Sequence, residues 1–106
     1  MDQSSQAAKE YEIEWTKTAQ RSLSEIVQYI AQDKPAAAEN FRQKVFQKVG
    51  LLKQSPYLGR IVPEFDSPTR RELLYGNYRI VYRLRPRLGK IQIIVVWHGK
   101  RLLRLP

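Results

Sequence analysis

The fold is decided by the stretch from Arg70 to Leu84, which reads Arg-Arg-Glu-Leu-Leu-Tyr-Gly-Asn-Tyr-Arg-Ile-Val-Tyr-Arg-Leu. It predicts two antiparallel strands joined by a two-residue turn at Gly76-Asn77, because glycine adopts a positive φ without strain and asparagine tolerates it. In the strand after the turn, alternate side chains share a face. One face is aromatic and aliphatic and the other carries arginine: Tyr78, Ile80, Tyr82 and Leu84 against Arg79, Val81 and Arg83. The first face predicts a core, and the second predicts two guanidinium groups about 7 Å apart on an accessible wall.

Two amphipathic helices are predicted upstream of this hairpin. Apolar residues recur there at intervals of three and four, which places them on one side of each helix. The first stripe contains Ala19, Leu23, Ile26, Val27 and Ile30, and the second contains Ala38, Phe41, Val45, Val49 and Leu52. Asp33-Lys34-Pro35 separates the stripes, since proline breaks the preceding helix and suits the first turn of the next. The short connection predicts an antiparallel helical hairpin.

Strands on both sides of the helices complete the predicted sheet. Residues 11–15 alternate apolar and acidic side chains, as a half-buried strand does, and a short extended piece is predicted at Ile61-Val62. Residues 91–97 are apolar on both faces, as in a central strand: Ile91, Ile93, Val95 and Trp97 on one, Ile94 and Val96 on the other. We expect a mobile tail over residues 1–10 and a single α+β domain over residues 11–106. In that domain, the helical hairpin packs on one face of a three- to four-stranded antiparallel sheet.

The composition excludes several classes of protein. A chain of 106 residues is long enough for one domain with a modest core. It has no cysteine and one histidine, which rules out disulfides, thiolate metal sites and multi-histidine metal sites, so we expect no metal and no cofactor. No apolar run reaches the roughly 18 residues that a membrane span needs, and the polar start lacks an apolar signal core. We therefore expect a cytoplasmic protein without a membrane partner.

The net charge of +9 is concentrated in the second half of the chain. Residues 1–55 carry eight basic and seven acidic side chains, whereas residues 56–106 carry eleven basic and three acidic ones. Most of these bases are arginines within or beside predicted strands. This asymmetry predicts a basic surface for nucleic acid or for an acidic protein segment.

Several short motifs follow one another at defined spacing. They are Pro56-Tyr57-Leu58-Gly59-Arg60, Arg71-Glu72-Leu73, Tyr78-Arg79-Ile80-Val81-Tyr82 and His98-Gly99-Lys100-Arg101. With the two helical stripes, they resemble the RelE/ParE superfamily of toxins from bacterial type II toxin–antitoxin pairs. The resemblance implies a toxin that halts growth until a cognate antitoxin binds it through an acidic, disordered segment that folds on binding.

Members of this superfamily differ in target. The resemblance implies either metal-independent cleavage of mRNA on the ribosome, as in RelE-like members, or inhibition of DNA gyrase, as in ParE-like members. In a nuclease, Arg79, Arg71 and Arg60 would stabilise the phosphate, and His98 or Glu64 would move protons. Three of these residues also have a structural interpretation: Arg79 paired with Glu72, Glu64 as a solvated carboxylate, and His98 as a structural histidine.

Two departures favour the ParE-like interpretation. The pair His98-Gly99 stands where RelE-like nucleases tend to place an aromatic residue, and the loop over residues 57–69 contains no lysine. The first hypothesis is therefore a gyrase-directed toxin, and the alternative is the mRNA endonuclease. A third is a non-toxic basic module that binds nucleic acid. The candidate contacts to a target or nucleic acid are Arg71, Arg79, Arg83, Lys100 and Arg101.

Overall fold

The computed structural model describes residues 10–99, which form an α+β domain. The predicted mobile tail lies outside this range apart from its last residue, and so do the predicted contact residues Lys100 and Arg101. Within the range, the elements are β1 (Glu12–Trp15), α1 (Lys17–Ala31), α2 (Pro35–Gly50), β2 (Arg60–Ile61), β3 (Arg70–Tyr75), β4 (Tyr78–Arg85) and β5 (Lys90–His98). Short 3₁₀ turns follow α2 and β4. Neither helix of the described part is long and apolar enough to cross a membrane.

The strands form one mixed sheet in the order β1-β5-β4-β3-β2. All neighbours are antiparallel except β1 and β5, which run parallel. The predicted α+β class is confirmed, but the described part has five strands rather than three to four. The sequence underestimates the count because β2 has only two residues, too few for an alternating pattern. The parallel pairing of β1 with β5 joins segments almost eighty residues apart, and a local sequence pattern cannot indicate such a pairing.

The predicted hairpin forms between β3 and β4. Leu73 pairs with Ile80 and Glu72 with Val81, and Gly76 and Asn77 are the two residues of the turn. Gly76 has a φ of +57°, and Asn77 does not have a positive φ. A positive φ at the first central residue alone suits a type II′ turn, whose twist matches that of the flanking strands.

The helical hairpin covers one face of this sheet. Thr16 caps α1, because its hydroxyl oxygen accepts a hydrogen bond from the Ala19 amide at 3.1 Å. The same hydroxyl lies 2.8 Å from the Ile93 carbonyl and donates to it, which ties the helix start to β5. Pro35 occupies the first turn of α2. The core between the helices and the sheet contains Ala19, Leu23, Phe41, Val45, Val49, Leu52, Ile80, Tyr82, Leu84, Ile91, Ile93 and Val96.

A bulge in β5 changes which of its side chains face the helices. Val81 pairs with Val95 and Tyr82 pairs with Ile93, so Ile94 is an extra residue without a partner in the register. The prediction that Val95 shares a face with Ile93 is therefore wrong, because one inserted residue inverts the alternation beyond it. Val96, and not Val95, joins the helix-side core.

The other face of the sheet has a smaller apolar cluster. Val62, Val81 and Val95 are buried there, and Phe65, Ile94 and Trp97 pack against them. The loop between β2 and β3 contributes two of these residues and folds over the sheet. This face, which we call the open face, is therefore covered beside Val81 rather than exposed along its whole length.

Candidate functional site

Arg79 lies on the open face and is held by two carboxylates. Its Nε donates to Glu72 Oε1 at 2.7 Å. Its two terminal nitrogens donate to the two oxygens of Glu64, Nη1 at 2.9 Å and Nη2 at 2.6 Å. This fork-to-fork geometry is the strongest that an arginine and a carboxylate adopt. The hydrogen bond to Glu64 is the main reason that the pKa of Arg79 is raised, so the guanidinium is charged at neutral pH.

A second arginine completes the network through Glu72. The side chain of Glu72 is fully buried, and its other oxygen accepts a hydrogen bond from Arg60 Nε at 2.7 Å. Two guanidinium groups thus meet two carboxylates, and their charges cancel. The expectation of an accessible wall is wrong for Arg79, which is 7% exposed. The reason is the loop after β2, whose Val62 and Phe65 anchor it on the open face and bring Glu64 over the guanidinium.

A groove of about 600 Å³ lies beside this network. Arg60, Glu64 and Arg79 line one part of it, and Leu74, which is half exposed, lines another. An incoming phosphate would have to displace Glu64 to reach Arg79 on both terminal nitrogens. The groove therefore offers a neutralised ion-pair network with an apolar rim rather than an open anion site.

Arg71 does not join Arg79. It pairs with Tyr82 across β3 and β4, and cross-strand partners share a face, so it lies on the helix side of the sheet. Its guanidinium donates to the carbonyls of Pro68 and Gly59, both at 2.9 Å, and stands 4.9 Å from the ring centre of Tyr57. These contacts tie the backbone before β2, at Gly59, and the end of the loop after β2, at Pro68, to β3.

Tyr82 lies in the core, as the alternation predicts, and it also has a polar role that the sequence did not indicate. Its hydroxyl donates to the Pro56 carbonyl and accepts from the Gly59 amide, each at 2.9 Å. Burial raises the pKa of the Tyr82 phenol. A Cβ on Gly59 would stand 2.5 Å from the Glu72 carbonyl oxygen, so only glycine allows this approach. The sequence signal for this close contact was Gly59 itself, a glycine directly before a short strand.

His98 lies on the opposite face from Arg79. It pairs with Tyr78 across β4 and β5, and their rings meet edge to face with centroids 5.4 Å apart. Tyr78 packs against the helix-side core, whereas Arg79 faces Glu64 on the open face. The sheet therefore separates the predicted proton donor from the predicted phosphate-binding arginine.

Arg83 follows Arg79 by two residues and shares its face, as predicted. It pairs with Arg70 on one side and Gln92 on the other, and it is half-buried. Within residues 10–99 it makes no ion pair. The two arginines of this face thus have different surroundings. Two carboxylates balance the charge of Arg79, whereas Arg83 has no carboxylate partner within residues 10–99.

A family model described as the ParE toxin of the parDE type II toxin–antitoxin system matches residues 13–103. The chain belongs to the ParE toxin family. It is a toxin of the type II toxin–antitoxin class. A sequence search of the curated proteins found no significant match.

Solved structures share the fold of this ParE-family toxin. A chromosomal ParDE system from P. aeruginosa superimposes with a TM-score of 0.70 at 22% identity, covering 85% of this chain and 97% of that one. The RelBE2 toxin–antitoxin complex from Mycobacterium tuberculosis gives 0.56 at 22% identity, with 84% and 98% covered. The isolated E. coli RelE toxin gives 0.56 at 15% identity, with 87% of each chain covered. These likenesses include both branches of the superfamily.

The predicted nuclease residues of this ParE-family toxin are only partly brought together. Arg60, Glu64 and Arg79 line one groove, as a phosphate site would require. Arg71 and His98 are on the other side of the sheet. In this groove the arginines are paired with carboxylates. Such ion pairs can hold the loop after β2 in place, but they are poorly suited to proton transfer.

Proposed function

We propose that this toxin arrests growth by binding and inhibiting DNA gyrase, without cutting RNA. The observation that supports this proposal is the placement of Arg79, which is bound by Glu64 and Glu72 and separated from His98 by the sheet. Gyrase and the ribosome are both cytoplasmic, so the cytoplasm is the compartment in which we propose that the toxin acts.

Metal-independent RNA cleavage needs a base, a cation at the phosphate and an acid within reach of one another. To bind a phosphate with both terminal nitrogens, Arg79 would have to release Glu64. To act as the base, Glu64 would have to leave its bidentate ion pair with Arg79, and no histidine lies on that face within residues 10–99. Inhibition by binding has no such requirement, because a rigid surface of defined shape and charge is sufficient.

The mRNA endonuclease remains the second candidate because one groove contains Arg60, Glu64 and Arg79. Expression in a bacterial host with and without the antitoxin gene separates the candidates. We expect arrest that the antitoxin reverses, and mRNA whose primer-extension profile equals that of unarrested cells. Cuts in ribosomal A-site codons that disappear in Arg79→Lys would contradict the gyrase proposal. The absence of arrest would favour the third hypothesis, a non-toxic module that binds nucleic acid.

We also propose where the antitoxin binds. An apolar groove of about 400 Å³ lies between the helices, with Trp15, Leu23, Val27 and Phe46 in its walls and Arg42 at its edge. Phe46 remains 42% exposed although its ring lies 5.0 Å from that of Trp15. An antitoxin segment that folds into an amphipathic helix can place apolar side chains in this groove and acidic ones towards the basic toxin.

The groove can be tested with one variant and one matched control. Phe46→Ala should weaken capture by the antitoxin at least about tenfold, because it removes an exposed aromatic anchor. Tyr29→Ala is the control, since Tyr29 is 72% exposed and lies outside this groove. Titration calorimetry of each variant measures the effect. Equal affinity for both variants would place the antitoxin elsewhere.

A further inference from the structure

Four arginines form a strip at the end of β4 far from the hairpin turn. We call it the basic strip: Arg70, Arg83, Arg85 and Arg87. Arg83 and Arg85 are two residues apart in β4, so both lie on the open face. Arg70 lies directly opposite Arg83 on β3. Arg87 follows in the 3₁₀ turn and lines, with Arg83 and Arg85, one groove of about 510 Å³.

This arrangement brings like charges face to face. Arg70 pairs with Arg83 across one ladder, and Arg85 pairs with Lys90 across the next. Directly opposed like charges destabilise a sheet. Within residues 10–99, no member of the basic strip has an ion pair. Lys90 meets Glu12 only at 3.9 Å, with both side chains substantially exposed, so that contact contributes little.

The basic strip differs from the neighbouring ion-pair network in having no carboxylate partners within residues 10–99. Arg79 lies two residues before Arg83 on the same strand, and two carboxylates neutralise it. Had the basic strip served only the fold, similar acidic partners would be expected beside it. An anion from outside the chain can supply the missing countercharge.

We propose that the basic strip binds the phosphate backbone of duplex DNA. Protein interfaces need buried apolar anchors, but the groove beside the strip exposes only one large apolar side chain, Leu88. Guanidinium groups are in contrast well matched to phosphate oxygens. The strip therefore has the chemistry of a backbone contact, which positions a protein on DNA without reading sequence.

A duplex suits the strip better than a single strand. Proteins that bind single strands stack bases on exposed aromatic rings. The aromatic residue beside the strip is Phe65, which packs on the small apolar cluster, and the guanidinium of Arg70 covers its ring at 5.3 Å. The inference is independent of the enzyme that the toxin inhibits, although an enzyme that holds DNA would bring both contacts together.

The salt dependence of binding tests the proposal. Fluorescence anisotropy with a labelled duplex of about 20 base pairs gives the affinity at several salt concentrations, and its logarithm should fall linearly with that of the salt concentration. The double variant Arg83→Gln, Arg85→Gln removes two phosphate contacts. Its slope should become shallower by about 2, since each contact contributes about 0.9, and its affinity at moderate salt should fall at least about tenfold.

A charge-matched control separates a site from general attraction. Arg21→Gln, Lys44→Gln loses the same two charges from exposed positions on the helices and should keep the slope of the native protein. Thermal melting of both double variants checks that they are folded. Equal slopes for the two variants, or no binding to duplex at low salt, would overturn the proposal. So would tighter binding of a single strand, or tighter binding of a polyglutamate peptide, which would indicate an acidic protein partner.

Discussion

The Nε of Arg79 lies 2.7 Å from a carboxylate oxygen of Glu72 on the adjacent strand, and neither side chain is more than 8% exposed. Glu64, in the loop after β2, binds the two terminal nitrogens of the same guanidinium. The network fixes this loop on the open face and neutralises the arginine that a nuclease would use.

Replacing Arg79 by alanine should cost about 3–5 kcal/mol in the free energy of unfolding, because it removes the cation that the buried Glu72 and the partly buried Glu64 share. Arg83→Ala, two residues further along the same face, is the control. It should cost less than about 0.5 kcal/mol, since Arg83 has no ion pair within the described residues. Urea unfolding of both variants measures the difference. Similar losses of unfolding free energy in the two variants would mean that the ion-pair network does not stabilise the fold.

The two glutamates should differ in importance. Glu72→Gln should destabilise the protein more than Glu64→Gln, because the side chain of Glu72 is fully buried and bonds Arg60 and Arg79, whereas that of Glu64 is 21% exposed at its ion pair with Arg79. Both substitutions preserve size and remove the charge. The order of their urea midpoints is the measurement, and a reversed order would contradict the assignment of Glu72 as the centre of the network.

Two glycines should respond oppositely to alanine. Gly59→Ala should cost more than about 2 kcal/mol, because its Cβ would stand 2.5 Å from a backbone oxygen of Glu72 and 2.8 Å from the Tyr82 hydroxyl. Gly50→Ala should be neutral or stabilise by up to about 1 kcal/mol, since no atom lies within 4 Å of its Cβ and it ends α2. Thermal denaturation measures both. A tolerated Gly59→Ala would show that the loop shifts easily.

The phenol of Tyr82 should make the protein less stable in alkali. Burial raises its pKa in the folded state, so the unfolded chain loses this proton first as the pH rises. Its contribution is fully present below the unfolded pKa of about 10 and falls as the pH rises above that value. Tyr82→Phe should lose about 1–3 kcal/mol at neutral pH, because the Gly59 amide is left unpaired.

The pH dependence provides the check on that substitution. The difference in unfolding free energy between the native protein and Tyr82→Phe should shrink as the pH is raised from neutral to above about 10, the unfolded pKa, measured by urea unfolding at each pH. A difference that stayed constant across this range would mean that Tyr82 titrates equally in both states.

The hairpin and the helices were predictable because their patterns are local. Alternation in β4 identified the core face, and Tyr78, Ile80, Tyr82 and Leu84 all join the helix-side core. The spacing of apolar residues likewise identified both helices. Each of these signals needs only a short window of sequence, since side-chain periodicity is set by the backbone.

The ion-pair network was predictable only in part. Glu72 lies in the same hairpin as Arg79, and their pairing was a stated alternative. Glu64 is 15 residues from Arg79, in a loop without periodicity, so nothing local indicated that it would cover the guanidinium. The position of His98 was similarly hidden, because the bulge at Ile94 inverts the alternation before it. Parity arguments fail where one extra residue enters a strand.

We propose that this toxin inhibits gyrase by binding it, while Arg79 stabilises the fold. The most direct test incubates the purified toxin with DNA gyrase and supercoiled plasmid, and measures the linear DNA released by detergent and protease. We expect trapped, cleaved DNA in proportion to toxin, and no cleavage of mRNA by the same preparation on programmed ribosomes. Ribosome-dependent mRNA cuts without any effect on gyrase would contradict it.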